Sequence, residues 1–89
     1  MKVEYSPSFE KDIVKCKNKK ILLKLKETLI VVENAETMRD VSNIKKVIGG
    51  ENAYRVKISE YRAAFYYINN IVLFTRFLHR KDIYKYFPQ

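Results

Sequence analysis

The spacing of apolar and polar positions along this chain is helical in its first half and becomes a period of two in its second. At the start, "KVEY" at residues 2–5 alternates polar and apolar, as a short edge strand does. Ser6 supplies an N-cap oxygen and Pro7 suits the first helical position, which predicts a helix from Pro7 to Cys16 with Phe9, Ile13 and Cys16 facing inward. Asn18 ends that helix. The next stretch, "KKILLKLKETLIVVENA", puts Leu22, Leu25, Leu29 and Val32 at helical spacing and Lys20, Lys24 and Glu27 largely on the opposite side, so two helices in a hairpin follow. Residues 36–51 have weak periodicity and close on Gly49 and Gly50, the pattern of a loop with a short extended piece over Lys45 to Ile48.

From Ala53 onward three runs rich in aromatic and branched residues follow, "AYRVKI", "YRAAFYYI" and "IVLFTRFL". Asn69 and Asn70 join the second and third, and Asn tolerates the left-handed backbone that a two-residue hairpin turn requires. Ser59 and Glu60 join the first two and are a poorer match to such a turn. The closing "HRKDIYKYFPQ" reads as a short helical turn or a tail. These elements predict an α+β fold of order β-α-α-β-β-β, an antiparallel meander with a helical hairpin packed on one face. At 89 residues the chain makes one domain spanning residues 1–89.

Charge adds the first hint of function. Eighteen Lys and Arg against ten Asp and Glu give a net charge of +8, which favours a polyanionic partner: nucleic acid, an acidic protein or an anionic membrane surface. One Cys and one His do not build a zinc site, so no metal and no cofactor is expected. The leading residues carry no apolar export segment and no run approaches the length of a membrane span, which predicts a cytoplasmic protein with no membrane partner.

The cations are not evenly spread. If Ile58 and Tyr61 close the first hairpin, Lys57 stands across from Arg62 and Arg55 lies two residues along on the same face. Like charges opposed across strands destabilise a sheet by a few tenths to about 1 kcal/mol. Either the patch holds an anion, or it is a solvated face that uses charge against edge aggregation. The opposite face then carries Tyr54, Val56, Ile58, Tyr61, Ala63 and Phe65, where the helices cover it. In the tail a helical turn would put Arg80 and Tyr84 on one side, a guanidinium beside a ring that suits a phosphate and a base. The alternative is that Tyr84, Tyr86 and Phe87 seal the open end of the sheet; Tyr86 and Phe87 are the better candidates for core or interface.

"GGENAYRVKISEYRAAFYY" followed by "VLFTRFLHRKDIYKYF" resembles the RelE/ParE superfamily of bacterial toxins from toxin-antitoxin pairs, and the likeness in order and spacing covers nearly the whole chain. Members like RelE are metal-free endoribonucleases that enter the ribosomal A site and cut mRNA. Members like ParE share the fold but poison DNA gyrase. The resemblance carries the family pattern onto Tyr54, Arg55, Lys57 and Arg62, with Arg80 and Tyr84 matching the late arginine and the tail aromatic. It implies catalytic roles for Lys57, Arg62, Arg80 and Tyr84, and substrate contacts at Arg55, His79 and Lys81. It also implies three partners: mRNA, the ribosome and a cognate antitoxin that binds in a hetero-oligomer. The sequence departs from the family at Ser59 and Glu60, where relatives often have Gly before the Tyr-Arg pair. The alternatives left by the residues are a gyrase poison and a non-catalytic basic binding module of the same fold.

Overall fold

The computed structural model describes residues 1–88. Its elements are β1 (Lys2–Tyr5), α1 (Pro7–Lys15), α2 (Lys19–Asn34), a 3-10 turn (Met38–Asp40), β2 (Ile44–Lys46), β3 (Ala53–Ile58), β4 (Tyr61–Ile68), β5 (Ile71–His79) and α3 (Ile83–Tyr86). The α+β class, the helical hairpin and the three long strands match the expectation. Local chemistry accounts for the helix starts: the Ser6 hydroxyl accepts from the Phe9 N–H, with Pro7 following it, and the Asn18 side chain accepts from the N–H groups of Lys20 and Ile21. Asn18 therefore opens α2 as well as following α1.

The sheet has five strands in the order β1-β5-β4-β3-β2. It is mixed rather than purely antiparallel, because β1 pairs in parallel with β5. The connections dictate this. The helical hairpin returns the chain to the end where β1 finishes, so β2 runs against β1 and alternation through the meander brings β5 back parallel to it. The short extended piece expected over Lys45 to Ile48 forms one residue earlier as a strand, β2, pairing Ile44, Lys45 and Lys46 with Val56, Arg55 and Tyr54.

One face of the sheet packs against the helices. Phe9, Cys16, Ile21, Leu25 and Val32 meet Val56, Ile58, Ala63, Phe65, Val72, Phe74 and Phe77 in one buried cluster. Phe9 lies 5.2 Å from Phe74 and 6.2 Å from Phe77 between ring centroids, contacts that add to the burial of these large rings. Leu22 and Leu29 are half-buried at the cluster's edge. On the other face α3 covers only part of the sheet: Ile83 and Phe87 pack with Val47, Ala53 and Ala64, and the Phe87 ring lies 5.0 Å from that of Tyr66. Gly50 permits this closure, since a Cβ there would stand 2.8 Å from Pro88 Cβ.

A bulge in β5 sets which residues reach which face. Ala64 pairs with Arg76 while Phe65 pairs with Phe74, leaving Thr75 as the extra residue. Plain alternation would keep Val72, Phe74, Arg76 and Leu78 on one side. The inserted residue instead brings Phe77 to the helix face after Phe74 and turns Leu78 to the other.

At the β1 edge the Tyr5 hydroxyl donates to Glu33 of α2 at 2.6 Å. Burial of the phenol, and then this bond to a carboxylate, raise the Tyr5 pKa above its ordinary value. The folded state thus prefers the protonated phenol. A tyrosine in the unfolded chain titrates near 10, so this stabilisation is whole below about pH 10 and is lost as pH climbs toward the raised native value. Thermal melts should fall in midpoint above about pH 10, with a shallower fall in Tyr5→Phe; identical slopes would refute this role.

Candidate active site

The candidate site lies on the sheet face that α3 leaves open. In β3 and β4 the first hairpin closes as expected: Ile58 pairs with Tyr61 and Lys57 with Arg62, while Arg55 faces Ala64. The structure adds a cation the sequence reading missed. Lys45 of β2 is directly opposite Arg55, so three adjacent strands present Lys45, Arg55, Lys57 and Arg62 on one side. Its only signal was a Lys pair in a stretch without clear period, and the β2 register decides which of the two lysines joins this face.

The turn that carries these residues is held in a strained form. Ser59 has φ 55°, the left-handed region that favours glycine. Arg62 compensates. Its Nη1 donates to the carbonyl oxygens of Ser59 and Tyr61, each at 2.9 Å, tying the guanidinium to the turn. The second hairpin is less demanding, since Asn69 and Asn70 take φ 52° and 64°.

Arg62 is half-buried. Burial of its guanidinium lowers its pKa most, with the positive charge of Arg55 and Arg80 acting in the same sense and Tyr84 and Glu60 opposing. Those four neighbours mark out the constellation. Arg80 reaches it because the Thr75 bulge turns Leu78 to this face and the chain continues in the same alternation. The Arg80 N–H donates to the Glu60 carbonyl at 2.8 Å, and its Nε lies 2.9 Å from Glu60 Oε2. Tyr84, exposed on α3, borders an open groove with Arg55, Lys45, Lys46, Val47 and Ile48. Lys57 is exposed at the sheet edge past the last β2 pair and lines a second groove with Lys24, Glu27 and Thr28 of α2 and with Asn43, Ile58 and Ser59, apart from the groove of Arg55 and Tyr84.

Not every candidate joins the patch. His79 pairs with Tyr61, a residue of the helix face, and its ring lies edge-on to that of Tyr61 at 5.6 Å. Its Nδ1 accepts the Lys81 N–H at 3.1 Å, which fixes the turn after β5. Lys81 is exposed in that turn. Phe87 is buried, as the sequence reading preferred, whereas Tyr86 stays half-exposed with the Arg76 guanidinium 5.0 Å from its ring centre. Among the described residues no three His, Cys, Asp or Glu side chains gather in a way that would hold a metal ion.

The family described as ParE toxin of type II toxin-antitoxin system, parDE, matches residues 3–84, the span from β1 to Tyr84. The chain belongs to the RelE/ParE superfamily of toxins. It is 35% identical over 89 residues to Toxin RelE3 of Methanocaldococcus jannaschii, covering 99% of this chain and all of that protein. The RelB-RelE antitoxin-toxin complex of Methanococcus jannaschii holds a chain that superposes with a TM-score of 0.81 at 29% identity, over 96% of this chain and 99% of that one. The DinJ-YafQ complex of E. coli gives a TM-score of 0.72 at 16% identity, over 92% and 96% of the two chains, and shows the shared fold alone. This superfamily member is a toxin of a toxin-antitoxin system, of the RelE type. Among the described residues no helix is long and apolar enough to cross a membrane.

Proposed function

We propose that this toxin is a ribosome-dependent endoribonuclease that cuts mRNA in the A site by attack of a 2′-hydroxyl on the adjacent phosphate, which breaks the P–O5′ bond, leaves a 2′,3′-cyclic phosphate and releases the 5′-oxygen as a hydroxyl protonated from solvent. The observation that carries this reading is the strand register, which opposes Lys57 to Arg62 and Lys45 to Arg55 on the open face. Each opposed pair costs stability unless an anion lies between its members. The guanidinium groups of Arg62 and Arg80 can grip phosphate oxygens through paired N–H groups, stabilising the charge that grows on the phosphorane. Lys57, opposite Arg62 in the register, is the candidate to take the proton from the attacking hydroxyl. Arg55 and Lys81 steer the strand by charge, and Tyr84 stacks on a base.

The same reading places the toxin in the cytoplasm, where ribosomes are, and pairs it with a cognate antitoxin protein in a hetero-oligomer. The likeness to the toxin of the RelB-RelE complex supports that partner. The test is primer extension on mRNA from cells briefly expressing the toxin, beside a translation-blocked sample. Cuts that need translation are the expected result. Growth arrest with intact mRNA would move the assignment to gyrase, the target of ParE-like members.

Tyr84 offers a sharper check of substrate geometry. Base stacking on an aromatic ring contributes about 1–3 kcal/mol, so Tyr84→Ala should reduce cleavage of ribosome-bound mRNA by roughly 5- to 150-fold. Tyr84→Phe keeps the ring and should stay within a few-fold of wild type. Equal losses in both would assign the hydroxyl, not the ring, as the working group.

A further inference from the structure

Glu60 is the one carboxylate among the described residues that acts on Arg62 together with Arg55 and Arg80. It replaces no core residue and caps no helix. It sits in the β3–β4 turn, its Oε2 is 2.9 Å from Arg80 Nε, and both side chains are more than half exposed, at 58% for Glu60 and 56% for Arg80. The backbone has already fixed the approach of these two residues, since the Arg80 N–H donates to the Glu60 carbonyl at 2.8 Å. The carboxylate therefore adds nothing that holding the turn to the end of β5 requires. What it does is supply Arg80 with an anion in the geometry that a phosphate oxygen would take.

We propose that Glu60 is a built-in competitor for the substrate phosphate at Arg80, released when RNA binds. The inference rests on the nuclease reading in taking a phosphate as the ligand of Arg80, and deepens it by naming a residue that sets the affinity threshold. Because the pair is exposed, its hold is weak, at most about a fivefold factor in binding. An isolated phosphate gains little by displacing it. A strand already engaged by Arg55, Arg62 and Tyr84 delivers its phosphate at high effective concentration and displaces the carboxylate. Loss of the ion pair also changes the salt dependence. When RNA takes Arg80 from Glu60, the freed carboxylate recovers a counterion, so the wild type releases fewer ions on binding than a variant without that carboxylate.

The test uses the full chain and a short fluorescent 2′-O-methyl RNA oligonucleotide, which has no free 2′-hydroxyl to attack, with binding read by anisotropy at low ionic strength. Glu60→Gln keeps the side-chain shape and removes the charge. It should bind about 2- to 5-fold more tightly than wild type, with a steeper fall in affinity as salt rises, by up to about 0.7 in the log–log slope. Arg80→Ala should bind more weakly. In the Arg80→Ala background, Glu60→Gln should yield only the small gain from its change in net charge, which makes the double variant the control for non-specific attraction. A Glu60→Gln protein that binds no more tightly than wild type, or a full gain that survives in the Arg80→Ala background, overturns the proposal while leaving the nuclease reading intact. If Arg80→Ala binds as tightly as wild type, the assignment of Arg80 to a phosphate falls and the competitor falls with it; if no variant binds the RNA saturably, the competitor alone falls, because the nuclease reading places RNA binding on the ribosome.

Discussion

Arg62→Ala is expected to reduce translation-dependent mRNA cleavage by about 10²–10³-fold, the loss that follows removal of one preorganised donor from a transition state that gathers charge. Arg62 is the residue on which the candidate site converges. It is half-buried, it lies opposite Lys57, and Arg55, Arg80, Glu60 and Tyr84 all act on its titration. Its Nη1 is already committed to the carbonyls of Ser59 and Tyr61, so the guanidinium does not have to be ordered when substrate arrives. Preorganisation of this kind is what gives electrostatic catalysis its size.

The same bonds create a competing explanation that the experiment must separate. Alanine at 62 also releases the strained turn at Ser59, at a cost of about 1.5–3 kcal/mol for hydrogen bonds to a charged group. Arg62→Lys resolves the ambiguity, because it keeps the charge and the stem but loses the planar fork that meets two acceptors at once. If the fork matters for the phosphate, the lysine variant folds with a thermal midpoint near wild type and still loses most of its activity. Arg39→Ala, a charge loss in the exposed 3-10 turn, should leave cleavage unchanged. Cleavage by Arg62→Ala within tenfold of wild type, at full folding, would remove Arg62 from the catalytic group.

How far the site could be read from sequence depends on what kind of signal each residue carries. Lys57 and Arg62 were legible because alternation is strict between Ala53 and Phe65, and a two-residue turn fixes which of them meet. His79 was not. Its placement depends on the Thr75 bulge, which shifts the face of everything after it, and no Gly marks that bulge in "IVLFTRFLH". The bulge sends Arg80 toward the cation face and turns His79 to the helix face, so the geometry separates two neighbours that the resemblance had grouped. Lys45 was missed for a different reason: a three-residue strand has too little pattern to set its own register, and β3 sets it instead. The parallel pairing of β1 belongs to the same class, being a consequence of how the connections count out rather than of any residue in "KVEY".

The largest expected effect on stability sits away from the candidate site, at Asp12. Its side chain is only 4% exposed; Oδ2 accepts from Arg76 Nε at 2.8 Å and from the Phe77 N–H at 2.9 Å, and Oδ1 accepts from Arg76 Nη2 at 3.2 Å. These bonds fall where they are needed. β1 accompanies β5 only as far as Phe74, so the edge of β5 beyond that point lacks a strand partner, and Asp12 of α1 supplies the acceptor. Its position was legible after the fact: with Phe9 and Cys16 it shares the inward stripe of α1, where a carboxylate is unusual unless paired. Removing one member of a buried ion pair costs about 3–5 kcal/mol, because the other is left desolvated. Arg76 is 19% exposed and can turn partly toward water, which favours the lower figure. Asp12→Ala should therefore lose about 3 kcal/mol in urea unfolding, lowering the melting midpoint by roughly 10–25 °C. Asp12→Asn, which keeps an acceptor for the Phe77 N–H, should fall between the two. Replacing the pair together, as Asp12→Leu with Arg76→Met, removes both charges and should recover much of the loss. A loss below about 1 kcal/mol in Asp12→Ala would mean that packing of Phe9 against Phe74 and Phe77, and not the ion pair, holds α1 to the sheet.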